Sequence, residues 1–441
     1  MTDEQKRKSE GSSFLKELLH PQINTVYRVR GGVDRIFLII VVLLLCYGSV
    51  MVFSSSYIFA KVKMHDSLWF VKKQIFFAVV GIVVMMLISF VDYGFVKKFT
   101  VPIFAVSFLM LAAVPFIGET NKGATRWLRF GPIQFQPSEI MKFALVLLLA
   151  SYISFFSTKI KEFKYGILIP AMITGVVCVI TLLEHHMSGT IILFLIGASM
   201  IFMSGANWKI LATIGGVFGA GALGVMLFTN YMKKRIDAWL HPELYLQTGG
   251  WQPYQSLLAI GSGGLFGVGL GNSYQKHMWL PEPQNDFIFA ILCEELGFLG
   301  AIALIVLFVL FIWRGFVIAK RAPDTFSSVL VAGLTAKVGI QAMLNIAVVT
   351  SSIPTTGIAL PFFSYGGTAL VMQLAEMGII LSVSRIRRGG GAVHVRGERH
   401  RPSGDGADQV RCRDPASRRG GRQARRWRLH ARAVCAPLVQ D

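Results

Sequence analysis

The chain has 441 residues, of which 53% are hydrophobic and only 15% charged, and its mean hydropathy is +0.56. Soluble domains carry about one quarter charged residues, so most of this chain cannot face water; a cytosolic enzyme, a disordered protein and a secreted disulfide scaffold are excluded. The net charge of +20 is unevenly spread, half of it falling in residues 385–441.

Residues 1–35 are polar and charged throughout, which reads as a cytoplasmic N-terminal segment and not as a cleavable signal peptide. A spanning helix needs ~20 mostly apolar residues. Ten runs qualify by hydropathy, at about 36–56, 73–91, 99–117, 139–156, 165–183, 189–204, 209–228, 286–313, 328–350 and 365–384. Membrane strands are excluded, because open sheet edges cannot sit in hydrocarbon and these runs far exceed the ~10-residue strands of a barrel. The expected fold is all-α, with ten transmembrane helices over 36–384. The two short runs flanking Glu184-His185-His186-Met187-Ser188 are alternatively a broken pair.

With the N-terminus inside, Lys97, Lys98, Lys159, Lys161, Lys164, Lys209, Arg314, Lys320, Arg321, Arg385, Arg387 and Arg388 all fall on the cytoplasmic side, which places both termini there. Lys61, Lys63, Lys122, Arg126, Arg129, Lys233, Lys234, Arg235 and Lys276 fall outside, where an anionic substrate would give them a purpose. The longest connection, 229–285, precedes helix 8 and carries Trp239, Tyr245, Trp251, Tyr254 and Trp279. Loops this long are functional or disordered, and the aromatic content argues against disorder. Its glycine-rich run 261–271 lacks the strand–helix context of a dinucleotide fingerprint; close backbone packing or a re-entrant turn is expected. Residues 385–441 hold 15 arginines and no lysine, phenylalanine, methionine or tyrosine. No aromatic interleaving or binding module accompanies those bases, so no nucleic-acid partner is expected. The tail reads as a disordered cytoplasmic extension; a shift of reading frame after codon 388 would also produce this composition.

Three outer segments carry the chemistry. The first runs from Lys122 through Arg126-Trp127 to Gln136-Pro137-Ser138-Glu139 and Lys142. Glu139 and Lys142 share a helix face, which alone would be a surface ion pair beside a helix start. The second is Trp279-Leu280-Pro281-Glu282-Pro283-Gln284-Asn285-Asp286-Phe287, continuing to Glu294-Glu295-Leu296-Gly297. Asp286 stands at the mouth of an apolar helix, as a cap or as a reactive group. Glu294 follows two turns deeper on roughly the same face, where an unpaired carboxylate is costly. The third, Pro354 to Thr368 with Pro361-Phe362-Phe363-Ser364-Tyr365-Gly366-Gly367, is too rich in Pro and Gly for a regular helix. Lys337, Gln341 and Asn345 form one polar stripe; Lys337 would pair with Glu376 or Glu294, or line a path. His185 and His186 are adjacent, hence on different faces, and make a poor metal pair.

Together these segments resemble the SEDS family (shape, elongation, division and sporulation proteins) over roughly residues 33–388. Asn345, Val348-Val349-Thr350 and Thr356-Gly357 look more like its FtsW/SpoVE branch than its RodA branch. The resemblance implies a bacterial plasma-membrane protein of ten helices that polymerises lipid II into glycan strands. It also implies a class B penicillin-binding protein and other division or sporulation proteins as partners. The family's catalytic aspartate corresponds to Asp286; residues for substrate correspond to Trp127, Glu139, Lys142 and Glu294, with Arg126, Lys337 and Ser364 added from the same segments. Where the family often has Gln-Pro-Asp followed by Gly-Thr, this chain reads His185-His186-Met187-Ser188-Gly189-Thr190, so that aspartate's role does not carry over.

The chemistry fits the residues independently. A sugar hydroxyl displacing a lipid pyrophosphate needs a general base, which a carboxylate supplies. The leaving pyrophosphate needs positive charge, from the outer bases or from a divalent cation such as Mg²⁺ or Mn²⁺. The competing expectation is a lipid II flippase, with Lys337, Gln341, Asn345 and Glu376 lining a path across the bilayer. Its polar groups should extend towards both faces, whereas these segments concentrate at the outer one.

Overall fold

The computed structural model describes residues 28–388 apart from 122–123, 131–132, 185, 207–212, 214, 217–235 and 248. The chain opens with a short strand, β1 (Arg28–Arg30), and then enters the long helix α1 (Arg35–Met64). Asp34 starts that helix by accepting the Phe37 N–H at 2.9 Å, and His65 ends it in the left-handed region at φ 56°. Next come α2 (Trp69–Phe90), the short α3 (Tyr93–Lys98) and α4 (Thr100–Ile117). Three strands follow, β2 (Glu119–Asn121), β3 (Ala124–Phe130) and β4 (Ile133–Phe135), paired antiparallel in that order. The chain continues through α5 (Pro137–Phe155), α6 (Ile169–Leu183) and α7 (Met187–Met203). The long connection contains α8 (Trp251–Ser262). The last helices are α9 (Ile288–Arg321), α10 (Thr325–Val349) and α11 (Gly367–Ser384), and β5 (Ile386–Arg388) pairs back onto β1.

Eight described helices are long and apolar enough to cross a membrane, counting α6 with the π-turn Lys164–Leu168 that leads into it; α7, at 17 residues, is a shorter apolar helix. The burial pattern is that of a membrane bundle. On α2 the inward residues are Phe70, Gln74, Ala78, Gly81, Met85 and Ser89, while Phe76, Val79, Val83 and Leu87 point outward. Small and polar residues face the protein because lipid offers helices no hydrophobic reason to associate, and close backbone approach does instead. A Cβ on Gly81 would stand 2.4 Å from Leu374, and one on Gly378 2.6 Å from the Met85 carbonyl, so α2 and α11 need both glycines.

One end of the bundle gathers the two ends of the described chain. Arg314 grips Asp34 at 2.6 and 3.0 Å, the Gly31 N–H donates to the Arg385 carbonyl at 2.6 Å, and Arg385 reaches the Ser89 carbonyl at 3.1 Å. At this basal end, too, Ala206 packs on Ile167 and Ile201 after α7. By Trp239 the chain stands at the opposite, distal end, its indole bonded to the Ser351 carbonyl at 2.6 Å. The expected span at 209–228 lies outside the described residues, as do most of 1–35 and the tail after 388.

Several expectations need correction. The first span runs two turns further than 36–56, to Met64. The runs at 165–183 and 189–204 are two separate helices, as counted, and not the alternative broken pair. The polar stretch 119–135, expected as a loop, is the β2–β4 sheet. The glycine run does make the expected close turn. Val268 and Gly269 N–H groups donate to the Glu294 and Glu295 carbonyls at 3.0 Å, and the Phe298 N–H donates to the Gly264 carbonyl at 2.9 Å. These bonds satisfy backbone groups freed where α9 breaks at Gly297, whose φ of 65° and ψ of −164° are open to glycine alone.

Candidate active site

The three segments that the sequence singled out meet at the distal end. Asp286 lies in the turn before α9 and is half-buried. It does not cap the helix, because the N-cap is Phe287 and no side chain bonds there. Its carboxylate comes against the third segment at Gly357, where a Cβ would stand 3.1 Å from Asp286 Oδ2. Gly357 has φ 67° and is exposed, so the approach to that carboxylate stays open.

The stripe on α10 holds this junction together. Asn345 Nδ2 donates to the Asp286 carbonyl at 2.8 Å and to the Ile358 carbonyl at 2.5 Å, tying the second segment to the third. One turn deeper, Gln341 donates to the Ala359 carbonyl at 3.0 Å and accepts from Lys142 at 2.9 Å. The Tyr365 N–H donates to the Gln284 carbonyl at 2.9 Å, a second tie between the segments. Irregular backbone inside a bundle needs such partners, since lipid supplies none. Sequence reasoning saw the stripe but missed that its amides brace the backbone beside Asp286. The signal was two amides one turn apart, near a Pro- and Gly-rich stretch.

Lys142 also pairs with Glu139 at 2.8 Å, and this is no surface pair: the Lys142 side chain is 3% exposed and that of Glu139 22%. Lys337 pairs with Glu376 at 2.5 Å, the two being 2% and 1% exposed, which decides between the two expected partners. The four charges lie within electrostatic reach of one another. Along α10 the first pair meets the helix at Gln341, roughly 6 Å below Asn345, and the second at Lys337, roughly 12 Å below it, given the helical rise of about 1.5 Å per residue. His186 stands beside these charges, its Nε2 3.3 Å from Gln136 Nε2; His185 is outside the described residues.

Other candidates sit elsewhere. Trp127 is half-buried in β3 opposite Glu119, and Arg126 precedes it in the same strand. Ser364 closes a turn, its hydroxyl accepting the Leu360 N–H at 2.7 Å. Glu294 does not share a face with Asp286, because the helix begins only at Ile288. Its carboxylate accepts from the Ser273 hydroxyl at 2.5 Å and the Tyr274 N–H at 2.8 Å. Lys276, expected among the outer bases, is buried and bonded to Glu295 at 2.9 Å. Among the described residues no three His, Cys, Asp or Glu side chains converge to hold a metal ion.

The chain matches the family model described as cell cycle protein (FtsW, RodA, SpoVE) over residues 34–389. It is 39% identical over 360 residues to a probable peptidoglycan glycosyltransferase FtsW of Geobacter sp. (strain M18), covering 81% of this chain and 98% of that protein. It is 40% identical over 361 residues to stage V sporulation protein E of Bacillus subtilis, covering 80% and 98%. Among solved structures it is similar to a chain of a peptidoglycan synthase complex that coordinates polymerization and crosslinking, with TM-score 0.67, 25% identity and coverage of 80% and 98%. It is similar also to the rod shape determining protein RodA of Thermus thermophilus, with TM-score 0.59, 26% identity and coverage of 80% and 97%.

Proposed function

This chain belongs to the FtsW/RodA/SpoVE family of cell cycle proteins, multi-pass membrane proteins, and from that premise we propose that it polymerises lipid II at the distal end of its bundle, with Asp286 as general base. The observation that carries this reading is the half-buried Asp286 carboxylate set against Gly357, with its backbone carbonyl tied to Asn345. An acceptor sugar hydroxyl placed beside Asp286 gives up its proton to the carboxylate as its oxygen attacks the anomeric carbon of the lipid-linked donor. The bond from that carbon to the pyrophosphate breaks, and the lipid pyrophosphate leaves. Lys142 is linked to the segment that turns over Asp286 through Gln341 and Ala359. It would receive the leaving charge by exchanging its bond to Glu139 for one to a phosphate oxygen.

The distal end then faces the cell exterior and both termini the cytoplasm, as the basic residues of the basal end favour. A class B penicillin-binding protein is the expected crosslinking partner. The flippase alternative draws on Lys142, Glu139, Lys337 and Glu376, but these charges are held in two ion pairs, Lys142 with Glu139 and Lys337 with Glu376. Purified protein supplied with lipid II in detergent, with and without the partner, tests the proposal. Glycan strands from the wild type and none from Asp286→Asn are expected; equal polymer from both sinks the assignment, and lipid II translocation by Asp286→Asn would favour the flippase.

A further inference from the structure

The aromatic residues of the distal loop are not used by the Asp286 site. Trp251 and Trp279 have ring centres 6.3 Å apart with planes at 31°, and Trp279 and Tyr274 are 6.4 Å apart at 17°. His277 extends the row, 6.4 Å from Tyr274 at 37°. Ring centres 6.3–6.4 Å apart are offset aromatic contacts, which cover only part of each ring face. Exposure agrees, at 67% for Tyr274 and 45% for Trp279.

The row is built rigidly. The Trp251 indole donates to the Trp279 carbonyl at 2.7 Å, and the Leu280 N–H donates to the Gln275 carbonyl at 3.0 Å. Buried Glu294 takes the Tyr274 N–H at 2.8 Å, while Lys276 is locked to Glu295. Met278 and Glu282 are held at φ 71° and 48°, a conformation that costs side-chain-bearing residues energy and persists only where the surroundings impose it. An interfacial aromatic belt turns its polar tips to headgroups, yet here the Trp251 N–H is spent on the loop's own backbone. Seven residues beyond Trp279 the chain reaches Asp286.

A pyranose ring has an apolar face of axial C–H groups and a rim of hydroxyls, so it lies flat on an aromatic ring while its rim stays wet. We propose that Tyr274 and Trp279, backed by Trp251, form a saccharide-stacking subsite that holds sugar units of the glycan strand beside Asp286. The proposal rests on the glycosyltransferase reading and deepens it. It also gives Glu294 a role that its distance from the Asp286 junction otherwise leaves open, as the positioning residue of the subsite.

Calorimetric titration of the purified full chain with tetra-N-acetylchitotetraose, a β-1,4-linked saccharide with neither lipid nor pyrophosphate, tests this directly. A flat ring stacked on an aromatic side chain contributes on the order of tenfold in affinity. Tyr274→Ala and Trp279→Ala should therefore each weaken binding about tenfold, while Tyr274→Phe and Trp279→Phe keep it. Glu294→Gln should weaken it too, with Glu294→Asp restoring part. No binding by the wild type, or equal binding by the double alanine variant, overturns the subsite. Loss in the phenylalanine variants as well overturns it, since stacking would then not be the cause. Alanine variants that bind the saccharide normally but lose stimulation by a penicillin-binding protein would assign the rings to a partner instead. If the wild type binds the saccharide through these rings yet makes no polymer, the subsite stands and the polymerase reading fails; polymer without ring-dependent binding gives the reverse.

Discussion

Asp286 and the pair Glu294-Glu295 lie within ten residues of one another, and the fold treats them in opposite ways. Asp286 is half-open, its backbone carbonyl bonded to Asn345 and its carboxylate against a bare glycine. Glu294 and Glu295 are 1% and 0% exposed, and their oxygens are taken by Ser273, Tyr274, Ser54 and Lys276. A carboxylate whose bonds are complete and enclosed is architecture. One whose backbone is fixed while its oxygens stay reachable is able to do chemistry. Proximity in sequence does not distinguish the two; exposure does.

The sharpest way to break this contrast is to neutralise each acid in turn. Asp286→Asn should lower lipid II polymerisation by ~10²–10⁴-fold, the usual contribution of a general base, with no change in thermal unfolding. Glu295→Leu should act on the fold, since it leaves Lys276 buried without its charge partner, at about 3–5 kcal/mol. Adding Lys276→Met should recover most of that loss, because removing both charges relieves the uncompensated one. Unfolding midpoints in detergent measure both effects. If Asp286→Asn destabilises as much as Glu295→Leu, the open acid is architectural too.

The next prediction concerns the brace. Asn345→Leu leaves the Asp286 and Ile358 carbonyls without their donor and frees the junction to shift. A misplacement of about 1 Å costs on the order of 10²-fold in rate, so kcat should fall with KM little changed. A proportional rise in KM would mean that Asn345 contacts substrate instead.

Much of this was legible in the sequence because membrane helices announce themselves. Lipid demands long apolar runs, and all but one of the ten expected runs fall on described helices. Asp286 stood out in the sequence as a charged residue between Pro283 and the apolar run at Phe287, where a cap and a reactive group were both open readings. What was not legible depended on partners far along the chain. Lys276 reads as one more outer base until Ser54 and Glu295 close around it. Glu294 was placed under Asp286 by helical spacing, which fails because Asp286 precedes the helix. The β2–β4 sheet was hidden because its strands are short and carry no clean alternation, so polarity alone read them as loop.

A third carboxylate stands between the two extremes and gives the smallest effect. Asp34 is partly exposed like Asp286 and ion-paired like Glu295, capping α1 through Phe37 and gripped by Arg314 at the basal end. Burial pushes its carboxyl up, but the Arg314 bonds, the Phe37 N–H and the nearby guanidinium charges outweigh that and hold it below the ordinary range. A group so depressed contributes stability that is fully present above its unfolded value of about 3.9 and is lost as pH falls through the lower folded value. Asp34→Asn keeps the capping oxygen and removes only the charge. The wild type should therefore unfold at a higher temperature than Asp34→Asn at pH 7 and pH 5 alike, with the gap closing only below pH ~4. Solvent screens so exposed a pair, so the gap should be small. A gap that closes between pH 7 and pH 5 would mean that another group sets it. A gap as large as that of Glu295→Leu would mean that pairing, and not enclosure, separates the architectural acids from Asp286.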